Sequence, residues 1–234
     1  MIKKDIPIVL FAYNFPHKKT QDFIFRILAE GYRIETIYAA DPVKLNIPSS
    51  IVKTKINHRG LIHPKTIADA FGIRYIVTDH NNDLIINENK GTDNIAIISG
   101  ARIIKANVVE SFSKGIINFH PGIIPYARGL DALLWSIYNN IHLGVTAHLI
   151  DKRIDAGKIL EIEQMPVYAS DTIYDLSERL YELQLDMIPR TIELTIGNGG
   201  YFIDDYGHYN KKMPSDLEQR TLELLPEYIN KFST

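Results

Sequence analysis

The 234-residue chain has no cysteine, which excludes disulfides and thiolate zinc sites and suits a cytoplasmic location. It also lacks an excess of positive charge. Its 26 Lys and Arg stand against 28 Asp and Glu, a net charge of -2, so the basic footprint of nucleic-acid binding is missing. No apolar run approaches the ~18 residues of a membrane-spanning helix. The opening MIKK, followed by IPIVLFA, places lysines before an apolar stretch. That stretch ends at Tyr13-Asn14 without a small-x-small cleavage site and continues into a helix pattern, so it reads as a first strand. No G-x-G-x-x-G follows that strand, and neither G-x-x-x-x-G-K-[ST] nor H-E-x-x-H occurs, which argues against a dinucleotide fold, a P-loop and a zincin site. The eight histidines are scattered, and the spacing of His142 and His148 from His120 suits no single helix face, so no metal is expected.

What is present has the balance of a globular domain, 45% apolar and 23% charged. A chain of this length can bury roughly 70% of its unfolded surface. DIPIVLFAY, TQDFIFRILAEGY and RIETIYAA read as strand, helix and strand, a βαβ unit with a parallel pair. Residues 41–64 are irregular and proline-rich, a long connection of the kind that carries function or mobility. PKTIADAFG (helix), IRYIVTD (strand), NIAIISG (central strand), KANVVESF (helix) and GIINFH (strand) continue the alternation. The expected fold is therefore α/β, a doubly wound and mostly parallel sheet. LDALLWSIYNN puts Leu130, Leu133, Leu134, Ile137 and Tyr138 on one helical face, with Trp135 as core. GVTAHLI and KILEIEQMPV read as two further strands, and a long helix runs from Thr172 to Thr195 up to GNGG. YFIDDYGHYN has the look of a hairpin, and SDLE opens a last helix with a capping box of Ser215 and Glu218. The expected division is a catalytic unit over 1–195 and a hairpin-and-helix extension over 196–234, in contact with a dimer partner or with substrate.

Chemistry concentrates in KGIINFHPGIIPYARG, residues 114–129. Side chains two apart in a strand share a face, so Asn118 and His120 project together. Pro121 and Gly122 end the strand there, at the carboxyl edge where open α/β sheets place their ligand crevice. Side by side, the amide and the imidazole can hold an oxygen on which negative charge develops. A structural pair hydrogen-bonded in a strand-end turn accounts equally well for the two residues alone.

The wider order separates these readings. Asn-x-His-Pro, Ile-Pro-Tyr-x-Arg-Gly, a helix with Trp135, GVTAHLID and Asp155-Ala-Gly157 together resemble the folate-dependent formyltransferase family, over about residues 94–163. The family includes methionyl-tRNA, glycinamide ribonucleotide and nucleotide-sugar N-formyltransferases. The resemblance implies a Rossmann-like formyltransferase fold and 10-formyltetrahydrofolate as formyl donor, with no metal. It implies that Asn118 holds the formyl oxygen, that His120 stabilises the oxyanion and moves a proton, and that Asp155 orients the imidazole. It places the pterin along IISGARII, at Ser99, Gly100, Ala101 and Ile103, a stretch whose composition alone fits an ordinary strand-end turn. Arg128 is shared with the family, where a place near the substrate pocket is expected.

The acceptor follows by elimination. The chain is shorter and less basic than methionyl-tRNA formyltransferases and lacks the regulatory domain of formyltetrahydrofolate hydrolases. Where glycinamide ribonucleotide enzymes have a glycine-rich phosphate loop, this chain reads AYNFPHKKTQ. Lys18 and Lys19 there are either phosphate contacts at a helix start or a solvated first turn. Compact size, Gly122 and the C-terminal extension look most like nucleotide-sugar N-formyltransferases. These formylate 4-amino-4,6-dideoxy or 3-amino-3,6-dideoxy sugars for surface polysaccharides, and the resemblance to them extends to homodimerisation. A glycinamide ribonucleotide-like acceptor, or water in a hydrolase, are the alternatives.

Overall fold

The computed structural model describes residues 5–44, 50–52, 60–152 and 155–233. Much of the irregular 41–64 stretch therefore lies outside the described residues.

The first strand, β1 (Ile8–Tyr13), is buried on both faces, as its unbroken apolar run requires. Helix α1 (Lys18–Ala29) presses Phe23, Ile24 and Ile27 onto the sheet and leads to β2 (Ile34–Ala40), which pairs parallel with β1. Then come α2 (Pro64–Ala70), β3 (Arg74–Val77), α3 (Asp83–Asn89), β4 (Ile95–Ile98), α4 (Ala106–Val109) and β5 (Ile116–His120). The sequence reading does not anticipate α3. That helix is short and rich in Asn and acidic residues, and it buries only Ile85 and Asn89.

After β5 come β6 (Arg128–Gly129), α5 (Ala132–Tyr138), β7 (Gly144–Ile150), β8 (Gly157–Gln164), α6 (Ile173–Ile196), β9 (Tyr209–Asn210) and α7 (Ser215–Phe232). The main sheet has seven strands in the order β3-β2-β1-β4-β5-β7-β8. It is parallel from β3 to β5, and β7 and β8 join antiparallel. The chain builds outward from β1 in one direction and then returns to place β4 on its other side. The carboxyl ends of β1 and β4 are thus the topological switch point, where α/β sheets open a crevice. Apolar clusters cover both faces. One contains Phe23, Phe119 and the inner side of α6, and the other contains Phe11, Tyr38 and Phe112.

Four local expectations are corrected. Leu130 precedes α5 and is 51% exposed, because Asp131 adopts φ 51° and turns the chain before the helix begins. Trp135 is half-buried, its indole N–H donating to the Lys211 carbonyl at 2.9 Å. YFIDDYGHYN forms no hairpin: Tyr201 bridges Ile159, and Tyr209–Asn210 pairs in parallel with Arg128–Gly129. Gly129 makes that pairing possible, since a Cβ there would strike the Asn210 carbonyl. Ser215 and Glu218 make no capping box. Pro214 is the N-cap of α7 without a side-chain bond, and the Glu218 carboxylate accepts instead from Ser50, Ile51 and Lys212.

Candidate active site

Asn118 and His120 do share one face at the end of β5, while Phe119 points the other way and packs edge-on against Phe23 at 5.5 Å. His120 is buried, its Nε2 2.7 Å from the Ala127 carbonyl. A carbonyl only accepts, so Nε2 carries a hydrogen and Nδ1 is the nitrogen free to exchange a proton. Asp155 Oδ1 stands 3.7 Å from that Nδ1. The Asp-Ala-Gly turn explains the approach. Asp155 takes a left-handed conformation, φ 44°, which Asp tolerates better than most residues. Gly157 sits at φ 109° against the Leu149 carbonyl, where a side chain has no room.

Gly122 has a specific task. A Cβ on it would collide with the Ala127 carbonyl and come 2.9 Å from His120 Nε2, so only glycine lets the loop close beneath the imidazole. Thr146, paired with His120 across β7, fastens this loop by donating to the Gly122 carbonyl at 2.8 Å and accepting from the Ile124 amide at 3.1 Å.

The sequence reading missed His148. It lies opposite Asn118 in the β5–β7 register and is fully buried. Its Nδ1 is 2.9 Å from the Ala156 carbonyl and its Nε2 is 3.2 Å from Asn118 Nδ2. Because the carbonyl can only accept, Nδ1 holds the hydrogen, and the Nε2 lone pair receives one Asn118 N–H. The second N–H of that amide remains for another acceptor. Burial first, and then the charge of His120, push the His148 pKa down to about 4, against the opposing pull of Asp155. His148 is therefore neutral near pH 7, as its role of acceptor requires. A histidine in GVTAHLI, the strand that follows the Trp135 helix, is the signal that could have found it, had the antiparallel register been known.

Asn118, His120 and Asp155 form the floor of a cleft of about 960 Å³ that follows the carboxyl ends of β1, β4 and β5. Asn118, His120, Asp155, Ser99, Gly100, Ala101 and Lys19 all line it. The Ser99 hydroxyl is engaged, donating to the Phe11 carbonyl at 2.9 Å, so the side chain ties β4 to β1. The Tyr13 ring lies on Gly100, where a Cβ would come within 2.8 Å, and its hydroxyl donates to the Ala101 carbonyl at 2.9 Å.

Ile103, Lys18 and Arg128 are not brought to the cleft. Ile103 is 68% exposed beyond the turn. Lys18 pairs with Glu178 at 2.7 Å and rests on the Tyr181 ring at 3.5 Å. Arg128 donates to the Gly207 carbonyl at 3.3 Å and faces the Tyr209 ring. Lys19 is different, and the solvated first turn does not describe it. Its ammonium is 2.8 Å from Gln184 Oε1, and no carboxylate pairs with it among the described residues. Burial lowers its pKa to about 8. Among the described residues no group of three or more metal-ligating side chains of the His, Asp and Glu type comes together, and no helix is long and apolar enough to cross a membrane.

The fold and cleft thus define an α/β enzyme scaffold whose site lies at the strand carboxyl ends, built around a buried histidine and an amide. Residues 62–192 match the family model described as formyl transferase, and the chain belongs to that family of formyl-transferring enzymes. It is 26% identical over 104 residues to the phosphoribosylglycinamide formyltransferase of Bacillus subtilis (strain 168), covering 44% of this chain and 53% of that protein. The chain thus spans about half the length of that relative, and as little as 10% of longer trifunctional purine biosynthetic proteins. A sugar N-formyltransferase from Shewanella sp FDAARGOS_354 superposes with a TM-score of 0.61 at 17% identity, over 94% of this chain and 87% of that one. Glycinamide ribonucleotide transformylase 1 from Symbiobacterium toebii gives 0.62 at 18% identity, over 85% and 94%. Both likenesses are of fold: a mostly parallel seven-stranded sheet with helices, carrying C-terminal helices here.

Proposed function

We propose that the protein transfers the formyl group of 10-formyltetrahydrofolate to the amine of a nucleotide-linked amino-deoxysugar, in the synthesis of a surface polysaccharide. The observation that carries this reading is one cleft holding Asn118, His120 and Asp155 beside Ser99–Ala101, with the uncompensated Lys19 on its wall. The β4 turn would receive the donor, with Tyr13 and Gly100 as a flat wall. Lys19 is the cation assigned to an acceptor phosphate, in preference to Lys18 and Arg128, which other groups engage. Val52, Leu133, Leu134 and Leu180 give the cleft an apolar lining suited to a deoxysugar.

In the transfer, the amine forms a bond to the formyl carbon, the bond from that carbon to folate breaks, and the formyl oxygen carries negative charge on the way. The free N–H of Asn118 donates to that oxygen, held in orientation by His148. His120 acts through Nδ1, taking the proton the amine loses and returning it to the departing folate nitrogen. Asp155, with Oδ1 3.7 Å from that Nδ1, keeps the imidazole oriented for both proton transfers. Losing one such oxyanion donor typically costs ~10²–10³ in rate. Within this reading residues 1–195 are the catalytic unit, residues 196–234 an extension on the acceptor side, and the enzyme works in the cytoplasm.

The test is release of tetrahydrofolate from 10-formyltetrahydrofolate with a panel of nucleotide-linked aminosugars, glycinamide ribonucleotide, and no amine. Release with one aminosugar, abolished in His120→Asn, is expected. Equal release without amine would make the enzyme a hydrolase, and release with glycinamide ribonucleotide alone would move the acceptor to that class.

A further inference from the structure

Among the described residues, Glu218 is a buried carboxylate that the chemistry above does not use, at 1% exposure in the first turn of α7. Carboxylates are rarely buried unless their oxygens are satisfied. Here Oε1 accepts from the Ser50 hydroxyl at 2.9 Å and from Lys212 Nζ at 3.4 Å, and Oε2 accepts from the Ile51 amide at 2.7 Å. Burial alone would raise its pKa. The Ile51 amide, the Ser50 hydroxyl and the Lys212 ammonium outweigh that and hold it below the ordinary value, so it is ionised.

Lys212 also reaches Asp131 Oδ2 at 3.4 Å, and the same oxygen accepts from the Met213 amide at 2.8 Å. The Ser50 hydroxyl accepts in turn from the Val52 amide at 3.1 Å. Ser50, Val52 and Asp131 line the cleft, whereas Glu218 and Lys212 do not. A single network in the C-terminal segment therefore grips two pieces of cleft wall distant from it in sequence. The turn after β4 has its own anchors, Ser99 on Phe11 and Tyr13 on Ala101, separate from this network.

We propose that Glu218 and Lys212 are positioning residues for the acceptor: they hold Ser50–Val52 and Asp131 in place, so the C-terminal segment sets acceptor binding without touching the reacting atoms. The assignment to acceptor rather than donor rests on the formyl-transfer reading above. It gives the extension after α6 a function, and it gives the irregular stretch before α2 one fixed point in the cleft.

Ser50→Ala and Glu218→Leu test this on the full chain with two independent readouts. The first is hydrogen exchange of the Ile51 amide by NMR. The second is the KM for dTDP-4-amino-4,6-dideoxyglucose against the Kd for 5-formyltetrahydrofolate, a donor analogue. The expected result is faster Ile51 exchange, an acceptor KM raised about tenfold from the loss of a hydrogen bond to a charged group, and donor affinity unchanged within about twofold. Unchanged Ile51 exchange overturns the proposal, and so does a donor affinity that falls in step with the acceptor. Should Glu218→Leu fail to fold, Glu218→Gln, which keeps the shape but removes the charge and one of the two acceptor oxygens, decides alone. If the unmodified protein forms formyl product with no aminosugar, the acceptor class is wrong, while Ile51 exchange still upholds or overturns the anchoring.

Discussion

Replacing His148 with leucine tests the site at the residue that joins its stability to its chemistry. In the folded protein burial and His120 hold its pKa near 4, while an unfolded chain shows about 6.5. Between those values the unfolded chain binds the extra proton, so stability falls as pH drops from 6.5 towards 4. The difference amounts to about 2 kcal/mol lost between pH 7 and pH 5. His148→Leu removes this dependence and leaves that of the carboxylates. It also takes the acceptor from Asn118 and the donor from the Ala156 carbonyl. An unpaired buried polar group typically costs about 1–3 kcal/mol, partly offset here by the apolar side chain. With its amide no longer held, Asn118 should lose roughly 10- to 100-fold in kcat. Urea unfolding at pH 7 and pH 5, alongside tetrahydrofolate release, measures both effects. A variant with the same loss of stability between the two pH values as the unmodified protein refutes the neutral, buried His148. Unchanged kcat refutes its hold on Asn118.

Three further outcomes are expected. Gly122→Ala drives a methyl into the Ala127 carbonyl and the His120 ring, so turnover should fall at least about 10²-fold; near-normal steady-state rates would show that the imidazole need not be gripped from below. Lys19, with its pKa lowered to about 8, loses its charge above that pH, so the acceptor KM should rise through pH 8–9. Lys19→Met should abolish that rise, and a flat KM profile in the unmodified enzyme would remove Lys19 from anion binding. Gly129→Ala meets the Asn210 backbone at φ 106°, and differential scanning calorimetry should show Tm lowered by about 5–10 °C; an unchanged Tm would mean that the β6–β9 pairing contributes little.

The sequence by itself determined the elements whose physics is local. Continuous apolar runs became β1, β4 and β5, and the 3.6-residue pattern became α1 and α6. The period of two in a strand placed Asn118 and His120 on one face, and Pro121-Gly122 ended that strand at the cleft. Those inferences depend on neighbours along the chain, whose geometry the backbone sets. Tertiary structure decided what depends on partners far away in sequence. The antiparallel register of β5 and β7 alone brings His148 to Asn118, and no periodicity announces it. Ser215 and Glu218 have the letters of a capping box, but Glu218 found a hydroxyl, an amide and an ammonium elsewhere. YFIDDYGHYN has the look of a hairpin, yet its ends pair with β8 and β6, whose open edges offer hydrogen bonds that outcompeted the local turn. Lys18 and Lys19 are identical side chains one residue apart. Only the helix packed against them separated one, neutralised by Glu178, from the other, left charged in the cleft because Gln184 offers it an oxygen without a charge.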